Sequence, residues 1–378
     1  MFYLTYAEPP SGVYYSQVTD VIKFLRSHCN ANMRLVAFIS LHDFSGKKKL
    51  IKQQLPDSIV LPMLPKAPYW KFSNFVLWLL CLIYRPKTIV ARNVIAANMG
   101  INVRGLSSVN KVCFDGRGAM EAEWNEYEVT VPESWKKSIG FMEEKAVNKS
   151  DFRIAVTQKL VQHWQSRYKY NGNNHVVIPC TLNSSFKATI PTQDDIIKVR
   201  SSIGLNADDI VLAYSGSTSG WQSFSILYTF LSSFVKESNN HKVIFLAQEE
   251  DNITKLLTEF PQQVQRKWVN HQEVTAILTA CDTGILIREQ SVTNQVASPT
   301  KFAEYLSAGL TVIISDNLGD YSDFVKTNNC GTVVNGDAYP KITKTDIETR
   351  ARMISLVKNN WTKDAQLNNY KKLLSAIQ

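Results

Sequence analysis

The chain has 378 residues, 44% of them hydrophobic and 20% charged, with a formal net charge of +9 and a pI near 9.1. This excludes a disordered or fibrous chain, allows two domains of ordinary size, and suits an anionic partner such as a nucleotide or an acidic membrane surface. No Lys/Arg tract interleaved with aromatics marks a nucleic-acid groove, no C-x-x-C pair among the six scattered cysteines marks a zinc site, and no basic leader precedes the first strand, so the expectation is a cytoplasmic protein without a metal.

In chain order, Phe2–Tyr6 reads as a strand, Glu8–Gly12 as a turn, and Val13–Ser27 as a helix whose apolar face carries Val18, Val21, Ile22 and Leu25. Leu35–Ile39 is a second strand, the lysines at 47–49 read as a solvated loop, and Asp57–Leu64 holds a third strand before a Pro-rich turn at 65–68. Phe75–Tyr84 (FVLWLLCLIY) is the longest apolar run. It falls short of the ~20 residues a spanning helix needs and reads as a buried helix over 72–84. The competing reading is shallow contact with an anionic membrane, because Trp70, Lys71, Trp78, Arg85 and Lys87 flank or punctuate the run as in interfacial segments. Strand Thr88–Ala91, a helix from Val94 to about Gly105, strand Lys111–Phe114, helix Glu133–Lys149, strand Phe152–Val156, helix Gln158–Tyr168 and a short strand Val176–Ile178 follow.

Alternating strands and helices predict a parallel, doubly wound sheet over residues 1–183, with Ser184–Asp195 as a linker. A second such domain spans 196–355. Helix 194–203 leads into it, strand Asp209–Tyr214 opens its sheet, and a Gly/Ser loop, Ser215–Gly220, precedes helix 221–236. Strand Lys242–Ala247, helix 251–259, a strand near Lys267–Val269 and helix 272–280 come next; Phe324–Thr327 and Gly331–Val334 close the domain, and Ile347–Ile377 is largely helical.

The stretch Thr283–Ser315 is the focus. It reads as buried strand TGILI, an irregular loop, a helix capped by Ser298 with Pro299 at its first turn and ended by Gly309, and buried strand LTVII. Its helix start gathers Ser298, Thr300 and Lys301, a site suited to phosphate, with Glu304 one turn on along the same face, where a carboxylate suits vicinal hydroxyls. An ordinary crossover helix with solvated Lys and Glu remains the alternative from spacing alone. In the Gly/Ser loop, Gly216 and Ser217 offer close backbone approach to an anion, with a plain tight turn as the alternative.

SPTKFAEYLSAGLTVI resembles the donor-binding signature of the group 1 (family 4) retaining glycosyltransferases, through Pro299, Lys301, Glu304, Tyr305, Leu306, Gly309, Val312 and Ile313. The resemblance implies a GT-B fold of two Rossmann-like domains facing each other across a cleft, with a last helix, 356–378, packing back on the first domain. It implies a nucleotide-sugar donor held by the second domain, with Glu304 on the ribose, Ser298, Thr300 and Lys301 toward the phosphates, and Lys301 and Arg288 meeting the diphosphate charge without a metal. Many members carry a Glu where this chain has Val296, so Arg288, Glu289 or Asn294 is left to meet the donor sugar. In the first domain, Gly12 in the first strand-to-helix loop, Arg92 at a strand end, and Asp115 and Arg117 in the FDGRG stretch are the candidates for acceptor binding or for orienting the reacting hydroxyl. Their alternatives are a structural turn at Gly12 and an Asp–Arg pair that shapes a loop. The acceptor implied is a saccharide on a lipid carrier, as in capsule, O-antigen or exopolysaccharide assembly. A sugar-nucleotide 2-epimerase of the same fold and a non-catalytic GT-B subunit are the rival readings.

Overall fold

The computed structural model describes residues 1–63, 69–127, 131–187, 189–218, 220–269, 271–335 and 340–378. The Pro-rich turn expected at 65–68, Ala188 of the expected linker and Ser219 of the Gly/Ser loop lie outside them. The chain forms two compact units. One holds Met1–Ser185 with Val296–Ser298 and Lys363–Gln378; the other holds Phe186–Gln295 and Pro299–Thr362.

The first unit is built on a seven-stranded parallel sheet: β1 (Phe2–Tyr6), β2 (Arg34–Ile39), β3 (Ile59–Pro62), β4 (Thr88–Arg92), β5 (Lys111–Gly116), β6 (Phe152–Ala155) and β7 (His175–Val177), in the order β3-β2-β1-β4-β5-β6-β7. Strands such as FYLTY and TIVAR are buried along their whole length, as crossover helices on both faces of a parallel sheet require. The order reverses between β1 and β4, so loops after those strands diverge and leave a crevice at their carboxyl ends. Helix Leu367–Ile377 packs on one face of this sheet: Tyr370, Leu373, Leu374 and Ile377 join the core formed by Val21, Leu25 and Met33, and Thr88 Oγ1, at the amino end of β4, donates to the Ile377 carbonyl.

The second unit has six parallel strands, β8 (Ile210–Ser215), β9 (His241–Leu246), β10 (Val264–Lys267), β11 (Thr283–Leu286), β12 (Thr311–Ser315) and β13 (Gly331–Val334), in the order β10-β9-β8-β11-β12-β13. Its reversal lies between β8 and β11. At the opposite, amino-terminal end, Asp282 pairs with both Arg200 and Arg350, and the two guanidiniums also donate to the carbonyls of Ala280, Asp209 and Cys281. These three buried charges are satisfied by one another and by backbone, which makes them a structural clamp on the sheet.

Several elements depart from expectation. Lys47–Lys49 lie on a helix, Phe44–Gln54, which buries only Ile51 and so carries almost no apolar periodicity. Helices Met120–Glu126 and Val292–Gln295 are additional to the expected elements. The first helix is interrupted: Gly12–Tyr14 passes into a π-helical turn, Tyr15–Thr19, before Asp20–Cys29. β10 ends at Lys267, ahead of the expected 267–269, and the C-terminal helical run breaks after Asn360. There Trp361 inserts among Phe302, Tyr321 and Phe324 of the second unit, while Lys363 pairs with Asp20 of the first. The apolar helix, Trp70–Tyr84, is buried on one side only, through Trp70, Ser73, Leu77 and Cys81, so Trp70 belongs to the core and not to an interfacial flank.

Candidate functional site

The focal helix spans Thr300–Ser307, and the residue at its N-cap position is Pro299, not Ser298. The Ser298 hydroxyl instead accepts from the Cys180 N–H, and residues 296–298 pack with the first unit. Pro299 has no N–H and no side-chain acceptor, so the first turn keeps backbone donors that no side chain of a capping residue takes up. Gly309, at φ +81°, follows the last turn, a conformation open to glycine and strained for other residues.

What the helix presents is set by three neighbours in the second unit. Tyr305 lies flat on β11 at Gly284, where a Cβ would sit 2.2 Å from Cγ of the ring, and its hydroxyl accepts from the Ser215 N–H at 2.9 Å. That contact ties the helix to the end of β8. The next residue, Gly216, turns at φ +101°, and a Cβ there would approach Lys301 Cε to 2.8 Å. Lys301 Nζ lies 4.5 Å over the Tyr214 ring and 3.3 Å from Gln222 Oε1. Burial first, and then the Arg288 charge, push the Lys301 amine down to about 7, against opposing attraction from Glu304 and Glu250.

Arg288 follows β11 and is buried. The Ser315 hydroxyl at the end of β12 accepts from the Arg288 N–H and donates to its carbonyl, each at 2.8 Å, which fixes where the guanidinium starts. Its Nη1 donates to Asn294 Oδ1 at 3.3 Å. Asn294 is buried and its amide donates to the carbonyls of Trp221 and Glu289, so in this arrangement it shapes the 288–295 loop. Ser217 is exposed, and its carbonyl accepts from the Tyr214 hydroxyl; Thr300 and Glu304 are half-buried on the helix. Two cations, a free helix start and a positive-φ glycine thus converge outside the carboxyl ends of β8, β11 and β12, at the point where the strand order reverses. Such a place is suited to an oxyanion, whose charge would favour the protonated form of Lys301.

Four side chains here were not singled out in the sequence: Tyr214, Gln222, Thr218 and Glu250. Glu250 follows β9 and accepts from the N–H and the hydroxyl of Thr218. Tyr214 lies inside β8, and Thr218, Gln222 and Glu250 lie in the turns that follow β8 and β9, so no local pattern marks them.

In the first unit the structure brings Arg92, Asp115 and Arg117 together. Asp115 has no exposed surface; Arg117 grips it with Nη2 and Nε at 2.8 Å each, the Tyr3 hydroxyl donates to it, and Arg92 Nη1 stands 3.9 Å away. Arg92 is held in turn by Glu8 at 2.7 Å. Asp115 is here the anionic hub of a buried cluster that joins β1, β4 and β5. Arg92 is buried as well; Arg117 keeps a partly exposed side chain. Gly12 is exposed at the start of the short first helical turn, whose cap is Ser11, accepting from the Tyr14 N–H.

The sequence matches no family model and no curated protein. Solved structures nonetheless share the fold. A glycosyltransferase from Rickettsia africae gives a TM-score of 0.71 at 15% identity over 99% of this chain and 97% of its own. A sucrose-phosphate synthase from Thermosynechococcus elongatus gives 0.70 at 12% over 99% of each chain. HepE from Anabaena, solved in complex with UDP and glucose, gives 0.68 at 15% over 99% of each. The likeness establishes the architecture: two Rossmann-like parallel-sheet units of the GT-B class.

Proposed function

We propose that the protein is a retaining glycosyltransferase. It takes a nucleotide sugar at the carboxyl ends of β8, β11 and β12 and passes the sugar to a saccharide acceptor on a lipid carrier at the cytoplasmic face of a membrane, in cell-surface polysaccharide assembly. The observation that carries the reading is Lys301: a buried lysine at a helix start, its stem against Gly216, with burial and the Arg288 charge pushing its amine down to about 7.

In this reading Glu304 holds the ribose hydroxyls, and the N–H groups of Thr300 and Lys301 face the diphosphate. As the bond to the sugar breaks, negative charge grows on the departing nucleoside diphosphate, and Lys301 and Arg288 stabilise it in place of a metal ion. Gly216 leaves room for the backbone of the β8 loop to approach the phosphates. Retention, the hexose class and the polysaccharide pathway rest on the resemblance of residues 298–313 to the retaining family.

Because HepE was solved with UDP and glucose, UDP and UDP-sugars are the first probes. Calorimetry with UDP, GDP and ADP on the full chain should find one diphosphate that binds, unaffected by EDTA, and a panel of nucleotide sugars should show release of that diphosphate. Failure of every nucleoside diphosphate to bind would sink the assignment; binding without any turnover on the panel would favour a non-catalytic subunit.

A further inference from the structure

We propose that the outer face of helix Trp70–Tyr84 is a docking surface for an anionic lipid bilayer. The helix meets its own unit through one stripe, Trp70, Ser73, Leu77 and Cys81. Half a turn away, at i, i+3, i+7, i+10 and i+11, stand Phe72 (58% exposed), Phe75 (55%), Leu79, Leu82 and Ile83 (71%). Trp78 donates its indole N–H to the Leu106 carbonyl, and exposed Leu106 extends the same patch. These side chains leave on the order of 500 Å² of apolar surface in water, toward the upper end of the largest patch a soluble monomer carries, and patches of that size are often functional. An ordinary surface helix puts polar residues on that face.

Charge decides the occupant. The chain has no Asp or Glu between Asp57 and Asp115, and exposed Lys71, Arg85 and Lys87 stand at the two ends of the apolar stripe. A second copy of the chain docked face to face would bring these cations against their own counterparts with no carboxylate on either helix. A leaflet rich in anionic headgroups neutralises them while the phenyl and aliphatic groups enter the acyl boundary. Tyr69 and Tyr84, both exposed, add aromatic rings with a polar tip at the rim. Among the described residues no helix is long and apolar enough to cross a membrane, and at 15 residues this one spans about 22 Å. It therefore lies in the surface.

The surface serves the proposed function by bringing the first unit to a lipid-borne acceptor, but vesicle binding needs no donor, so the two readings fail separately. The full chain is sedimented with vesicles of phosphatidylcholine alone and with added phosphatidylglycerol. The expected result is binding to the anionic vesicles only, and release by high salt. F75S/I83S should lower the partition coefficient about tenfold or more, and K71E/R85E should do the same at low salt. Thermal melting of both variants should stay that of the native chain, since these side chains face water. A protein that stays in the supernatant with anionic vesicles at low salt overturns the proposal. So does binding that both variants retain, or a concentration-dependent dimer that F75S/I83S dissolves while vesicles bind nothing.

Discussion

Replacing Lys301 by Met separates what the lysine costs from what it does. The amine sits at about 7, far below the 10.5 of a free lysine, through burial and the facing Arg288 charge. The unfolded chain therefore binds more protons than the empty fold between roughly pH 7 and 10.5, and stability should rise with pH across that window. At neutral pH the buried amine costs the empty fold at most about 4 kcal/mol, since each pH unit of displacement is worth about 1.4 kcal/mol and the amine is half-protonated there. Lys301→Met keeps the apolar stem over Tyr214 and beside Gly216 and drops the charge. It should melt several degrees higher than the native chain at pH 7, with the difference shrinking toward pH 10. Diphosphate binding should move the other way. The ligand favours the charged amine, so binding at pH 7.5 should take up about three-quarters of a proton, and Kd should rise by up to about tenfold per pH unit above 7. Calorimetry in two buffers of different ionisation enthalpy reads the proton directly; the phosphate itself has largely finished titrating there. Lys301→Met should bind more weakly, with no proton uptake and a flat pH profile. If native binding takes up no proton between pH 7 and 9, or if Lys301→Met is less stable than the native chain at pH 7, the geometry assigned to this amine is wrong.

Glu304→Ala should weaken diphosphate-nucleoside affinity by about 1.5–3 kcal/mol, the scale of charged hydrogen bonds, with melting unchanged; unaltered affinity by calorimetry removes Glu304 from the ribose. Gly284→Ala puts a methyl into the Tyr305 ring and should cost about 1–3 kcal/mol in denaturant unfolding, and diphosphate affinity with it, because Tyr305 positions both the helix and the Ser215 turn. Asp115→Asn leaves Arg92 and Arg117 without their common anion and should cost about 3–5 kcal/mol of stability; a variant of native stability but lost turnover would restore Asp115 as a catalytic group.

The sequence was most legible where the signal is local. Helices Glu133–Lys149, Gln158–Tyr168 and Asp251–Glu259 stand at their expected positions, because apolar periodicity and flanking turns are properties of a few adjacent residues. So is the parallel character of the sheets, which shows as short, nearly continuous apolar strands. Elements held by distant partners were not legible. Helix Met120–Glu126 has no cap of its own; its Glu121 N–H donates to Glu143, a buried carboxylate from the next helix. Ser298 looks like an N-cap, but its hydroxyl accepts from Cys180, 118 residues away, and no local pattern reports that competition.

The site divides in the same way. That Lys301 and Glu304 share one face at a helix start was readable in consecutive residues, while a donor-binding role for them came from the resemblance of residues 298–313. Gly216 was readable as a turn, but its need to be glycine comes from Lys301, 85 positions later, whose stem fills the space a Cβ would take. Arg288 and Asn294 share a loop, yet only folding shows that Asn294 is spent on the Trp221 and Glu289 carbonyls. An apolar run such as Phe75–Tyr84 determines a helix in either environment. Which of its faces meets protein depends on the one stripe, Trp70, Ser73, Leu77 and Cys81, that the neighbouring elements cover, and only the tertiary structure decides that.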